Sequence, residues 1–186
     1  PTPDANGVLT QKAMLIMESN DSAVAATPIN GRVTWKLETL KSVVANASEI
    51  GSRATVDIPE VGLSTAFVFR RNRDPQSANS HMIEVTFSLA ENNSTGKVRD
   101  IRVPELRSDE VARGTPLSGI PVPVTENVFL VGLNALPSEM QKNLENTIKN
   151  FINSEDYFLS HKHNNFQLNQ LISFFKSNFT YKNNIK

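Results

Sequence analysis

The chain has 186 residues with 19 acidic and 19 basic side chains, so its formal net charge is zero, which argues against a nucleic-acid-binding protein that works by bulk electrostatics. This length fits one domain, and 39 % hydrophobic residues are enough to build its core. The absence of cysteine excludes disulfides and thiol catalysis, and no apolar run approaches the ~18 residues that a membrane span needs.

The first residues predict a lead-in followed by a short strand. The first seven residues are rich in Pro, Asp, Asn and Gly, so residues 1–11 predict a disordered lead-in. A β domain is predicted over 12–136. The run AMLIM at 13–17 is apolar throughout. It predicts a first strand, although a helical turn has the same pattern.

Two further segments alternate with the two-residue period of a half-buried strand. The segment after Gly31 predicts a strand with a buried tryptophan, and the segment over 53–58 alternates until Pro59, which cannot donate to a ladder, ends it. Between them, 40–51 is ambiguous between a helical turn and a wide loop. The residues predicted to face the core are Val33, Trp35, Leu37, Ala54, Val56 and Ile58.

The clearest pattern is a hairpin made of two alternating runs, 63–69 and 81–89, around a polar loop over 70–80. A slip of one residue would move Glu84 into the core, so the register is well specified. Each large apolar side chain contributes about 1.5–3 kcal/mol when buried, which makes this pair the main predicted contributor to the core. The residues predicted to share its buried face are Leu63, Thr65, Phe67, Phe69, Ile83, Val85, Phe87 and Leu89.

The later strands are shorter and less regular. The segment 98–106 predicts a short or bent strand, and prolines at 121 and 123 restrict the segment 119–124 to an edge or a crossing position. The apolar run NVFLVGL at 127–133 predicts a strand covered on both faces. Together these segments predict a mainly β fold, either an antiparallel β-sandwich or a partly open barrel, with one or two C-terminal helices.

The pattern becomes helical after Leu136. Ser138 and Gln141 have the spacing of a capping box and apolar residues recur at helical spacing, so a helix packed on the domain is predicted over 137–152. Residues 153–186 form a tail rich in Asn, Lys and Phe, in which a second helix is allowed. Because this tail carries many apolar side chains, it either packs on the β domain, where we expect it to cover an exposed edge of the sheet, or remains disordered.

Two strings carry a resemblance to a known family, FRRNRDPQSANSHMIEVTF at 69–87 and RGTPLSGIPVPVTENVFLVGL at 113–133. They resemble the C-terminal β domain of an uncharacterised, membrane-anchored alphaproteobacterial family. The resemblance implies a domain that follows a membrane-anchoring helix and a linker, on the periplasmic side of the inner membrane. It implies no activity, ligand or catalytic residue. The tail departs from the family pattern, in which two further strands follow the helix.

The arginine-rich hairpin loop is a candidate anion site, because guanidinium groups make bidentate contacts to phosphate or carboxylate. The alternative is that these side chains keep the hairpin end soluble and pair with Asp74 and Glu84. Alternation would also send the first two arginines to opposite sides of the strand. The candidate residues are Arg70, Arg71, Asn72 and Arg73.

His81, at the start of the second hairpin strand, is a candidate base or ligand. The predicted β domain has no second His and no Cys, so a metal there would need carboxylates for its other ligands. The sequence also has no nucleophile elbow, no Gly-rich phosphate loop and no zinc-protease motif. We therefore predict a structural role for His81, with no metal and no cofactor.

These observations favour a non-enzymatic domain of the cell envelope that binds a protein partner or a second copy of itself through a sheet edge. Strand addition needs no special residues, so the absence of motifs does not count against it. One alternative is a carrier of a small apolar ligand, and another is the anion site of the arginine loop. A third is an enzyme that uses His81 with a carboxylate. The predicted cavity of the carrier is lined by Trp35, Phe67, Phe87 and Phe129.

Overall fold

The structure, a computed structural model, describes residues 9–17, 28–41, 48–93, 96–106 and 115–143. Most of these residues form strands, so the prediction of a mainly β fold is confirmed. Seven of the strands make one antiparallel sheet, which does not close into a barrel. The order across the sheet is β1-β2-β3-β4-β5-β9-β8, and β6 and β7 form a separate small pair. The strands are β1 (Leu9–Ile16), β2 (Pro28–Lys41), β3 (Ser48–Ile58), β4 (Leu63–Arg71), β5 (Asn79–Leu89), β6 (Glu105–Leu106), β7 (Thr115–Pro116), β8 (Gly119–Thr125) and β9 (Val128–Asn134).

The central hairpin has the predicted register. Phe67 lies opposite Val85, and Glu84 lies opposite Val68 on the other face of the sheet. The strand predicted from the run at 13–17 is confirmed, and it begins at Leu9, within the residues assigned to the lead-in. In the ambiguous segment 40–51 the described residues are sheet, because β2 continues to Lys41 and β3 begins at Ser48, and residues 42–47 lie outside the described residues.

The two faces of the sheet differ in polarity. We call the face that bears Ile83, Val85, Phe129, Val131 and Leu133 the inner face, and the face that bears Glu38, Arg53 and Glu84 the outer face. The five inner-face residues are buried and form one apolar cluster with Leu117. The outer face instead carries ion pairs, so one layer of apolar side chains on the inner face supplies this core.

An irregular segment covers the inner face. Val98, Ile101 and Val103 pack against the apolar cluster, so this segment is a lid over the sheet instead of the predicted short or bent strand. Only its end, Glu105–Leu106, pairs as β6 with β7. Pro104 accepts a backbone hydrogen bond from Leu117 at 3.0 Å, which fixes the return of the chain toward β8.

Two segments are less buried than predicted. Trp35 is half-buried, and it stacks on Phe69 with ring centroids 6.0 Å apart. The run at 127–133 becomes β9, but it is fully covered only on the inner face, because Leu130 on the outer face is half-buried. The covering lid lies on one side of the sheet, so an apolar run of this kind does not require cover on both sides.

The helix begins one residue before the predicted cap. Residues 137–143 are helical, and the first helical hydrogen bond runs from the Met140 N–H to the Leu136 carbonyl at 2.8 Å. Leu136 is therefore the N-cap residue and Pro137 the first helical residue, a position that suits proline because no backbone donor is needed there. The predicted capping box at Ser138 is thus wrong. Residues 144–186, which include the rest of the predicted helix and the tail, lie outside the described residues.

A buried amide joins this helix to the sheet. The Asn143 side chain accepts from the Ser118 N–H at 2.7 Å and donates to the Ser118 carbonyl at 3.0 Å, and Asn143 is almost fully buried. Nearby, hydrogen bonds from Lys142 and then from Ser118 lower the pKa of Glu139 below its usual value. No helix among the described residues is long and apolar enough to cross a membrane.

The substitution Asn143→Ala should destabilise the domain by about 1–3 kcal/mol, because it leaves the half-buried Ser118 N–H without the amide oxygen that accepts from it. Chemical denaturation of the full chain measures this change. The matched control is Ser138→Ala, which should change the stability by less than about 0.5 kcal/mol because Ser138 is exposed and is not the N-cap. Equal losses in both variants would show that the first turn, not the buried amide, holds the helix.

Candidate functional site

The arginine loop is occupied by a carboxylate of the protein itself. Arg73 Nε donates to Glu49 at 3.2 Å, and a guanidinium nitrogen of Arg70 lies 3.9 Å from the same carboxylate. Glu49 is buried, whereas Arg71 is exposed and lies on the other face of β4 from Arg70. These two ion pairs therefore run to Glu49, and not to the expected partners in the loop and on β5.

Asn72 has a structural task in the same loop. Its amide donates to the Asn79 carbonyl at 2.9 Å, and its oxygen accepts from the Asp74 N–H at 3.2 Å. Asp74 in turn accepts from the Gln76 N–H at 2.9 Å. The polar side chains of this loop thus bond to its own backbone, which is the usual role of Asn and Asp in turns.

His81 lies inside the sheet, not in a cleft. It is 4 % exposed, on the inner face of β5, between Arg71 of β4 and Leu133 of β9 in the register of the sheet. Among the described residues, no group of three or more His, Cys, Asp or Glu side chains could hold a metal ion. His81 therefore belongs to no such group in this part of the chain.

The four aromatic residues assigned to a carrier cavity share the inner face, as the alternation predicts. Phe87 and Phe129 meet edge to face with centroids 5.9 Å apart, and Trp35 is stacked on Phe69. Such pairs are favourable arrangements of aromatic rings in a core. Three of the four rings are therefore in contact with another ring and Phe67 packs against the apolar cluster, on a sheet that stays open.

The two edges of the sheet differ in their backbone groups, and this difference defines the candidate site. In an antiparallel ladder, alternate residues of an edge strand direct both N–H and C=O away from the neighbouring strand. The Ser118 carbonyl accepts from the Asn134 N–H at 3.0 Å, so even-numbered residues at β8 bond to β9. Pro121 and Pro123 therefore occupy outward positions, where each removes a donor from this edge.

The residues of β1 whose backbone groups point away from the sheet can be found in the same way, by following the hydrogen-bonded pairs from β5 to β1. The Ala90 N–H donates to Gly62 at 2.9 Å and the Asn72 N–H to Ser80 at 3.0 Å, so even-numbered residues of β4 bond to β5. No register shift occurs between β1 and β5. Odd-numbered residues of β1 therefore bond to β2. The residues whose backbone groups point outward are Thr10, Lys12, Met14 and Ile16.

None of these four residues is a proline. Among the described residues, no strand pairs with β1 on the side away from β2. The side chains of Met14 and Ile16 are 59 % and 63 % exposed on the outer face. An edge of this kind, with free donors and acceptors beside apolar side chains, is a template for another strand. We call these four outward residues the β1 edge.

Of these two edges, the sequence predicts one. Prolines at 121 and 123 predicted a protected edge, and the structure places β8 at that edge. The β1 edge was missed, because the run at 13–17 does not show which strands flank it. No protein family, curated protein or solved structure matches this chain.

Inorganic phosphate should not bind measurably to the arginine loop of the natural chain, because the Glu49 carboxylate already occupies the position between Arg70 and Arg73 where an anion would bind. Substitution Glu49→Gln should create phosphate binding by removing that charge while keeping a side chain of similar size. Titration followed by amide chemical shifts in residues 70–80 measures both. Phosphate binding by the natural chain that is lost in Arg71→Gln would instead support the anion-site alternative.

Proline at two neighbouring positions tests the parity of β1. Ala13→Pro should destabilise the domain by about 1–3 kcal/mol, because it removes the N–H that bonds to β2 opposite Gly31. Met14→Pro should cost less than about 1 kcal/mol, because that N–H points outward, where an edge strand accepts proline. Chemical denaturation measures both variants. The opposite order would show that the ladder is shifted by one residue.

Proposed function

We propose that this protein binds another polypeptide by strand addition to the β1 edge, either a segment of a partner or a second copy of the chain. The observation that carries the proposal is the contrast between the two edges. Two prolines remove outward donors from β8, whereas the outward positions of β1 keep all of theirs. A strand that pairs with the β1 edge would extend the seven-stranded sheet by one.

Strand addition draws its affinity from main-chain hydrogen bonds, and its specificity comes from alternate side chains. The β1 edge offers outward N–H and C=O groups over seven residues, from Thr10 to Ile16. Six to seven residues is also the length of many strands in globular proteins, so a short extended segment is long enough to fill it.

The structure gives less support to the alternatives. The arginine loop already holds Glu49, and on an open sheet three of the four aromatic residues of the carrier hypothesis lie in ring pairs while Phe67 packs against the apolar cluster. Catalysis at His81 would require a reacting group to reach a buried side chain between two strands. A non-enzymatic role stays a prediction, and so does the location in the cell envelope, which rests on the resemblance of residues 69–87 and 113–133.

The proposal is tested with the full chain by amide hydrogen exchange and by sedimentation at increasing concentration. The added probe is a capped heptapeptide, Ile-Thr-Val-Thr-Gln-Thr-Thr, whose alternation suits a strand. Either the probe or a second copy should slow exchange at the amides of the β1 edge, because these donors become hydrogen-bonded. The amides at 120 and 122, which already bond to β9, should not change.

Met14→Pro is the variant that removes one outward donor, and Met14→Ala is its matched control, which removes the side chain and keeps the donor. Protection should be lost in the proline variant and kept, though weaker, in the alanine variant. Unchanged exchange at the β1 edge with the peptide and at high protein concentration would refute the proposal. Equal behaviour of the two variants would also refute it.

A further inference from the structure

The outer face beside the β1 edge carries unbalanced positive charge. Lys12 is exposed and lies directly opposite Arg32 of β2, whose side chain is 65 % exposed. Like charges directly opposite each other in a sheet are destabilising. Within the described residues, Lys12 has no ion pair, so its charge is available to a neighbour on the open side of β1.

The carboxylates of this face lie deeper in the sheet and are already used. Asp57 on β3 accepts from Ser64 at 2.7 Å and lies 3.5 Å from Arg32. Glu38 on β2 accepts from Arg53 Nε with both oxygens, at 3.0 and 2.9 Å. This hydrogen bond with Glu38 is the main cause of a raised Arg53 pKa. The carboxylates are therefore held by neighbours on β2, β3 and β4, away from Lys12.

The other half of the β1 edge is apolar. Met14 lies opposite Asn30 and Ile16 opposite Pro28, both on the outer face. The side chains of Met14 and Ile16 are mostly exposed, and Met17 is partly exposed. An incoming strand would place one outer-face side chain beside each of them, two residues apart. Apolar side chains at these positions would remove the exposed apolar surface from water.

We propose that the strand taken by the β1 edge comes from a partner with an acidic residue opposite Lys12 and apolar residues opposite Met14 and Ile16. This inference rests on strand addition as the function. Antiparallel pairing continues the sheet, so the partner reads, from its N-terminus, apolar, any, apolar, any, acidic. The acidic side chain would lie next to Lys12 and within reach of the field of Arg32.

A second copy of this chain fits the same edge less well. Symmetric antiparallel pairing centred on Lys12 places two lysines opposite each other, which is unfavourable. Pairing centred on Ala13 places Lys12 opposite Met14, so the lysine still finds no carboxylate. Either arrangement brings two Lys12 and two Arg32 side chains toward one junction. In both registers the lysine lacks a carboxylate, which a different chain with an acidic residue at this position would supply.

The test compares the heptapeptide Ile-Thr-Val-Thr-Glu-Thr-Thr with the same peptide carrying Lys in place of Glu, both capped, with the full chain. The Glu peptide should bind about fivefold more tightly than the Lys peptide, as expected for one cross-strand charge pair. The difference should shrink as salt is added, because exposed charges are screened. In Lys12→Glu the Lys peptide should bind more tightly than the Glu peptide. In Lys12→Gln the Glu peptide should keep only the small advantage that the charge of Arg32 gives it.

The outcomes separate this inference from the function on which it rests. Equal binding of the two peptides, with loss of both in Met14→Pro, would overturn the charge preference and leave strand addition standing. Self-association that Met14→Pro abolishes, without binding of either peptide, would show that the occupant is a second copy. Absence of peptide binding, self-association and amide protection would overturn both. Reversal of the preference in Lys12→Glu supports the inference in full.

Discussion

The backbone ladder from β1 to β5 is the constraint on which the rest of the structure depends. Its register runs through five strands without a shift, so the orientation of each backbone group is set by the position of its residue. This fixes which side chains share a face, and it also fixes which amides of β1 remain outward. A single displaced residue in any of these strands would exchange the inner and outer faces.

One face of this sheet is built for burial and the other for water. The inner face is covered by the lid around Ile101, and the helix is joined to the chain just before β8 by the hydrogen bonds of Asn143 with Ser118. The outer face instead carries Glu38 and Arg53 in a paired arrangement above the neighbouring strands. A buried carboxylate, Glu49, joins β3 to the arginine loop. Glu38, Arg53 and Glu49 therefore link neighbouring strands and the arginine loop.

The two edges of the sheet differ in the backbone donors that they offer to another strand. Proline at alternate positions removes donors only from the side that faces away from the sheet, so β8 keeps its bonds to β9 and loses its outward capacity. On β1 the outward amides remain, and a single lysine stands among apolar neighbours. Charge on an edge opposes indiscriminate pairing. The same charge gives an acidic strand an advantage over others.

Alternation in the sequence determined the central hairpin and its buried face, because a period of two follows directly from strand geometry. The two prolines restricted their segment to an edge or a crossing position, because proline cannot donate to a ladder. The tertiary structure decided what alternation does not encode. The lid over 98–103 has no period of its own, Glu49 reaches the arginines from a distant strand, and Leu136 is the cap because Asn134 and Ser118 fix the chain before the helix. The outward parity of β1 required the full order of the strands, which depends on contacts between residues far apart in the chain.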